Sequence, residues 1–132
     1  MFNFPTYLQA DAKDCGPTCL KIIAKYYGKI LKIEKLRELS ETTREGTNLF
    51  NISNTSEQIG FRSIGLELSF DKLKKINLPC ILHWNENHYV VLYKIKANKV
   101  YISDPAIGLI EYNKEEFLKF WNRSKNDSGI AL

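Results

Sequence analysis

Apolar residues recur at helical spacing over about the first 60 positions and at strand spacing after them. Leu20, Ile23, Ala24 and Tyr27 stand at i, i+3, i+4 and i+7, which predicts one amphipathic helix of about three turns. Gly16 and Pro17 signal its start, because proline tolerates a first turn whose N–H groups have no partner anyway, and Gly28 signals its stop. Ile30, Ile33, Leu36 and Leu39 carry a second, shorter helical stripe that runs into Ser40-Glu41-Thr42-Thr43 and ends near Gly46. Thr47 or Asn48 can cap a third helix, in which Leu49, Ile52, Ser56 and Ile59 share a face and Gly60 provides the stop.

From Phe61 the period shortens. Residues 61–68 alternate loosely, as a strand does, and Asp71 to Ile76 fit a short capped helix. Three runs rich in β-branched and aromatic residues follow: Ile81 to Trp84, His88 to Ile95, and Val100 to Ser103. The last two form a hairpin through Ala97-Asn98. Asp104-Pro105-Ala106-Ile107-Gly108 is a turn, Leu109 to Tyr112 a further strand, and Asn113 with Glu115 and Glu116 opens a helix through Phe117, Leu118, Phe120 and Trp121. Helices first and an antiparallel sheet afterwards predict an α+β fold with a helical lobe packed on a sheet lobe. The polar stretch from Asn122 to Gly129, closing on Ile130-Ala131-Leu132, reads as a cut end with more chain expected after it.

Composition narrows the class. A chain of 132 residues, 44% hydrophobic and 26% charged, fits one soluble domain spanning 1–132 with a real core. Three cysteines form no disulfide framework, which points to reduced thiols and a cytosolic setting, and no Cys-x-x-Cys or His pair suggests a metal site. Met1-Phe2-Asn3-Phe4-Pro5 lacks the regions of a signal peptide, and no apolar run approaches the ~20 residues that span a bilayer. The net charge of +4 is spread among acids, as in Lys35, Arg37, Glu38, Glu41, Arg44 and Glu45, with no basic stripe for nucleic acid.

The candidate chemistry centres on Cys15. It stands between a polar Gln/Asp/Lys/Asp run and a Gly-Pro helix start, at the positive end of the first helix, where a thiolate, the reactive form, is favoured. Cys19, one turn on beside Leu20 and Ile23, and Cys80, within Leu78-Pro79-Cys80-Ile81-Leu82, read as small buried hydrophobes instead. A nucleophilic cysteine needs a base within reach and a third group to orient that base. His88 opens a long strand directly after the polar turn Asn85-Glu86-Asn87, where its ring can face a cleft. His83, inside a strand, has no evident orienting partner and reads as structural. Asp104 closes the strand paired with that of His88, so it can orient the ring; as Asp-Pro at a strand end it can equally form the turn, and both roles are compatible. Gln9, six residues before Cys15, is the candidate to share an oxyanion with the Cys15 N–H.

Gln9, Asp14-Cys15-Gly16-Pro17-Thr18-Cys19-Leu20, Asn87-His88-Tyr89-Val90-Val91 and Asp104-Pro105-Ala106-Ile107-Gly108, in that order and spacing, resemble the papain-like peptidase domain of bacteriocin-processing ABC exporters, the double-glycine leader peptidases. The resemblance covers the chain from Phe4 to Trp121. It implies a papain-like two-lobe fold, a Cys15/His88/Asp104 triad with Gln9 at the oxyanion, and removal of Gly-Gly leaders from precursor peptides through a thioester. It also implies transmembrane and ATPase domains following this one in a dimeric exporter, with the peptidase on the cytoplasmic side of the membrane. No cofactor is expected in the domain itself, since ATP belongs to the ATPase and no Gly-x-x-x-x-Gly-Lys loop occurs here. A passage too narrow for side chains would restrict the residues before the cut to glycine, and Trp84 and Tyr89 beside the base and Tyr7 near Gln9 are the bulky groups available to wall it. Two other readings compete: a leader-docking module whose cleavage is incidental, and a papain-fold transferase or thiol-redox protein, the latter disfavoured because Cys19 faces the core.

Overall fold

The computed structural model describes residues 4–43, 46–84, 88–121 and 128–131. Three helices come first: α1 (Cys15–Tyr26), entered through a short 3-10 turn (Ala12–Asp14), α2 (Ile33–Leu39) and α3 (Leu49–Gln58). The remainder is β1 (Ile64–Glu67), the single turn α4 (Phe70–Leu73), β2 (Cys80–Trp84), β3 (His88–Lys96), β4 (Lys99–Asp104), β5 (Gly108–Asn113), α5 (Lys114–Trp121) and β6 (Ser128–Ala131). The six strands form one sheet in the order β1-β6-β2-β3-β4-β5, every pairing antiparallel. The fold is α+β, as the periodicity predicts.

Strand alternation divides the core between the two faces of this sheet. Ile81 of β2 and Tyr89 and Val91 of β3 join Cys19, Leu20, Ile22, Ile23, Leu36 and Ile52, so one face carries α1 with α2 and α3 behind it. Cys80, Leu82, Trp84, Val90 and Leu92 join Phe70, Leu73, Val100, Ile102, Tyr112, Phe117 and Trp121, so the other carries α5 and α4. Most of these side chains exclude solvent completely, and apolar burial on this scale is the main favourable contribution to folding.

Local signals set the element ends. Asn48 caps α3 by accepting from Asn51 N at 2.8 Å. Asn113 and Glu116 form a reciprocal capping box at α5: Glu116 N donates to Asn113 Oδ1 at 2.8 Å, and Asn113 N donates to Glu116 Oε1 at 3.1 Å. The second helix is shorter than its stripe predicts. Ile30 is 76% exposed and lies before α2, while Ser40 Oγ donates to Leu36 O at 2.6 Å and Glu41 takes a φ of 52°, which ends the helix well before Gly46. The strand expected over 61–68 is confined to β1, and residues 128–131, read as part of a cut tail, form β6 between β1 and β2. The predicted turn Asn85-Glu86-Asn87 lies outside the described residues. Among the described residues no helix is long and apolar enough to cross a membrane.

Candidate active site

The first residue of α1 is Cys15, 5% exposed, and no side chain caps that helix. Close packing fixes the position. A Cβ on Gly16 would lie 2.6 Å from Thr47 Cγ2 and 3.1 Å from Ile52 Cδ1, so only glycine lets the start of α3 press on the turn that carries Cys15. Thr47 cannot easily retreat, because its Oγ1 donates to Ser40 O at 2.6 Å.

His88 opens β3 and Asp104 ends β4, and the antiparallel pairing of these strands brings both to the same end of the sheet. His88 Nε2–H donates to Asp104 Oδ1 at 2.6 Å, which leaves Nδ1 as the nitrogen for another partner. The ring also interacts with the Cys15 side chain. Burial alone would pull the imidazole down, but its hydrogen bonds to Asp104 and Cys15 and the charges behind them outweigh it, and its pKa is pushed up to about 9. At neutral pH the ring is therefore an imidazolium.

Asp104, 2% exposed, also accepts from Ala106 N at 2.9 Å on the same Oδ1, so the turn-forming and ring-orienting roles are both present on one oxygen. The turn reaches Gln9 too: Gln9 N donates to Pro105 O at 2.8 Å, and one strand residue earlier Ser103 Oγ donates to Pro5 O at 3.1 Å. These two bonds hold the N-terminal segment along the end of β4. Gln9 Nε2 donates to Asp11 O at 3.0 Å, which uses one of its two hydrogens; Oε1 is buried and accepts nothing among the described residues.

The other two thiols differ sharply. Burial holds the Cys19 thiol well above its ordinary pKa, with Cys15 and Asp104 adding to the effect, and burial pushes Cys80 up to about 12. Both are fully buried, as small hydrophobes are.

The expected wall residues fall in three settings. Trp84 is register-paired with His88, but its indole is 4% exposed and stacks 5.2 Å from Phe120, with Tyr112 and Phe117 close by, so it packs in the α5 core rather than along an open passage. Tyr89 is buried beside His83, ring centroids 5.2 Å apart, and burial, then the charges of Cys15 and Cys19, pushes its hydroxyl up to about 12. Tyr7 is half-buried under the Lys21 ammonium at 4.3 Å, and with Leu8, Ala10, Thr18, Lys21 and Ile33 it lines a cavity of about 90 Å³.

Sequence reasoning missed one pair. Asp14, completely buried immediately before Cys15, receives Arg37 Nε at 2.8 Å and Arg37 Nη2 at 2.6 Å. Arg37 had read as one of many scattered surface charges, and at a separation of 23 residues no local pattern links the two.

Comparison with known proteins gives the chain a family. The sequence model of the Peptidase C39 family matches residues 3–125. The lactococcin-G-processing and transport ATP-binding protein LagD of Lactococcus lactis subsp. lactis is 41% identical over 119 residues, covering 86% of this chain and 17% of LagD. The chain thus spans less than a fifth of the length of the first curated relatives it matches, 17–18%. Among solved structures, a double glycine motif protease from an AMS/PCAT transporter in complex with the leader peptide superposes with a TM-score of 0.88 at 33% identity, over 96% of this chain and 89% of that one. The peptidase domain of Streptococcus ComA, a bifunctional ABC transporter involved in quorum sensing, gives 0.87 at 28% identity, over 98% of each chain. A family model that spans nearly the whole chain, and relatives alike in both sequence and fold, lead to one conclusion: this chain belongs to the Peptidase C39 family.

Proposed function

We propose that the chain is a cysteine endopeptidase domain that removes double-glycine leaders from precursor peptides, with Cys15, His88 and Asp104 as its catalytic triad. The observation that carries this reading is the single histidine placed between a helix-end thiol and a buried carboxylate. The Cys15 thiolate attacks the carbonyl of the second glycine. The tetrahedral oxyanion accepts hydrogen bonds from the Cys15 N–H and from the Gln9 Nε2 hydrogen not given to Asp11. The His88 imidazolium protonates the leaving amine, which frees the product and leaves a thioester. Water, deprotonated by the now neutral His88, hydrolyses that thioester and restores the thiolate. Asp104 keeps Nδ1 aimed at sulfur throughout. The steps need no cofactor in this domain; ATP is used by the ATPase part of the exporter.

An exporter setting is supported by relatives with names that pair processing with transport or with secretion. In the proposed context the domain works on the cytoplasmic side of the membrane, joined to transmembrane and nucleotide-binding parts of a dimeric exporter. Tyr7 and Tyr89 are the bulky groups left to narrow the approach to Cys15, given where Trp84 packs. Glycine buries almost no apolar area, so a glycine-only passage contributes little affinity, and the leader upstream must supply it as an amphipathic helix in an apolar groove.

The test is the turnover of a full Gly-Gly leader, a truncation keeping its last few residues, and a variant with Gly→Ala beside the cut, each with the chain and with Cys15→Ala. Truncation should chiefly raise KM, Gly→Ala should nearly stop turnover, and Cys15→Ala should abolish it. Binding of the leader without cleavage would instead identify a docking module.

A further inference from the structure

A carboxylate at a helix N-cap ordinarily turns back onto the first-turn N–H groups and neutralises the positive end of the helix. Asp14 occupies that position at α1, next to the nucleophile, yet its side chain makes no capping bond. Both of its oxygens point away to Arg37, which holds them in a two-point fork. The local sequence makes this matter. Pro17 has no N–H, so Cys15 and Gly16 carry the only donors among the first three residues of α1, and a free Asp14 carboxylate would compete for the donors an oxyanion needs.

We propose that Arg37 is a positioning residue for the nucleophile: by taking both oxygens of Asp14 it keeps that charge off the first turn of α1, so the helix end remains available to the Cys15 thiolate and to the oxyanion. The proposal rests on Cys15 being the nucleophile and deepens that reading. The buried end of the fork is Asp14, with no exposed side-chain surface, whereas the Arg37 side chain is 32% exposed. Arg37 can thus be replaced from the surface without opening the core. Other groups act at the same place: His88 and Tyr89 from β3, Asp104 from β4 and Cys19 on α1 around the thiol, and Glu34 and Asp11 around the guanidinium. Among them Arg37 is the cation that neutralises Asp14.

The test measures the rate of Cys15 alkylation by iodoacetamide against pH, alongside kcat and KM on a cleavable peptide. Arg37→Gln should slow alkylation at neutral pH by about 3- to 10-fold, with the deficit vanishing in alkali where the thiolate forms regardless. Its kcat should fall by a similar factor with KM little changed. Adding Asp14→Asn removes the unpaired charge and should return the alkylation profile to that of the parent, which a purely structural tether would not do. A folded Arg37→Gln with the parental profile, or a double variant that stays displaced, overturns the proposal. If Arg37→Gln does not fold, Arg37→Lys replaces it, since it keeps the charge but loses the fork. A profile displaced the same way and returned by Asp14→Asn then supports the proposal, and an undisplaced one overturns it. Because alkylation needs no peptide, a wrong substrate leaves this result intact. A parent that alkylates elsewhere than Cys15 removes the nucleophile itself rather than the role of Arg37.

Discussion

At the scale of single residues the site rests on one oxygen. Asp104 Oδ1 serves both the His88 ring and the Ala106 N–H, so changing it perturbs the ring and the turn together. Asp104→Asn retains an amide oxygen that can accept both bonds and should lose much less kcat than Asp104→Ala, which leaves the imidazolium without its carboxylate; steady-state kinetics of the two variants check this. Equal, negligible losses would leave Asp104 only its turn. The raised pKa of His88 sets a pH limit with a definite sign. The folded ring holds its proton to about pH 9, whereas an unperturbed ring releases it near 6.5, so the interaction contributes fully to stability below pH 6.5 and is lost as pH rises through about 9. The alkaline limb of kcat/KM should fall in that same region, and a limb near 6.5 would mean that the ring is not paired as described. Where these residues stand was legible in their neighbours: a thiol before Gly-Pro, a histidine opening a strand, an Asp-Pro at a strand end. The Asp14–Arg37 fork was not legible, because Asp14 reads as part of a polar run and Arg37 as one charge in a mixed helix, and only the packing of α2 against α1 joins them.

At the scale of elements, the position of Cys15 depends on how closely α3 approaches the start of α1. Alanine is a better helix former than glycine by about 1 kcal/mol, but an added methyl at residue 16 would meet Thr47 Cγ2 at 2.6 Å, and overpacking of this kind costs about 1–3 kcal/mol. Since the Thr47 hydroxyl is anchored to Ser40 O, the clash should win: Gly16→Ala is expected to lower the midpoint of thermal unfolding and also to slow turnover by shifting Cys15. A midpoint at or above that of the parent would show that Thr47 yields freely. Periodicity located α1, α3, α5 and β2 to β5 closely, although Tyr27, counted in the α1 stripe, lies just past that helix and is 46% exposed, and β2 and the first half of β3 are buried on both faces rather than alternating. It overran α2, where Ser40 bonding back to Leu36 O and the positive φ of Glu41 end the helix at Leu39, the last apolar residue of its stripe. It missed β6, whose Ser-Gly-Ile-Ala carries no strand pattern of its own and is extended because it is paired on both edges, with β1 and β2.

At the scale of the whole molecule, the fold brings together residues that are far apart in the chain. The Gln9 segment is stitched to the Asp104 turn through Pro105 O and Ser103, α1 delivers Cys15 to the end of the sheet, and the β3–β4 pairing delivers His88 and Asp104 there. A one-residue slip in that pairing would turn every side chain of a strand to the opposite face, so the two cores and the site stand or fall with the same register. Trp84 illustrates the coupling: its place near His88 was legible, but its packing was not, because no local pattern shows that α5 covers that face of β2. The central claim is that the thiol held at this junction attacks a carbonyl presented by Gly-Gly. It is tested most directly by incubating the chain with a leader peptide ending in a Gly-Gly chloromethyl ketone and mapping the adduct by peptide mass. The account predicts one adduct, on Cys15, lost in Cys15→Ala, retained in Cys19→Ser and much slower to form when the last glycine of the probe is replaced by alanine. An adduct on Cys19 or Cys80, or one that forms as fast with alanine in that place, would contradict it.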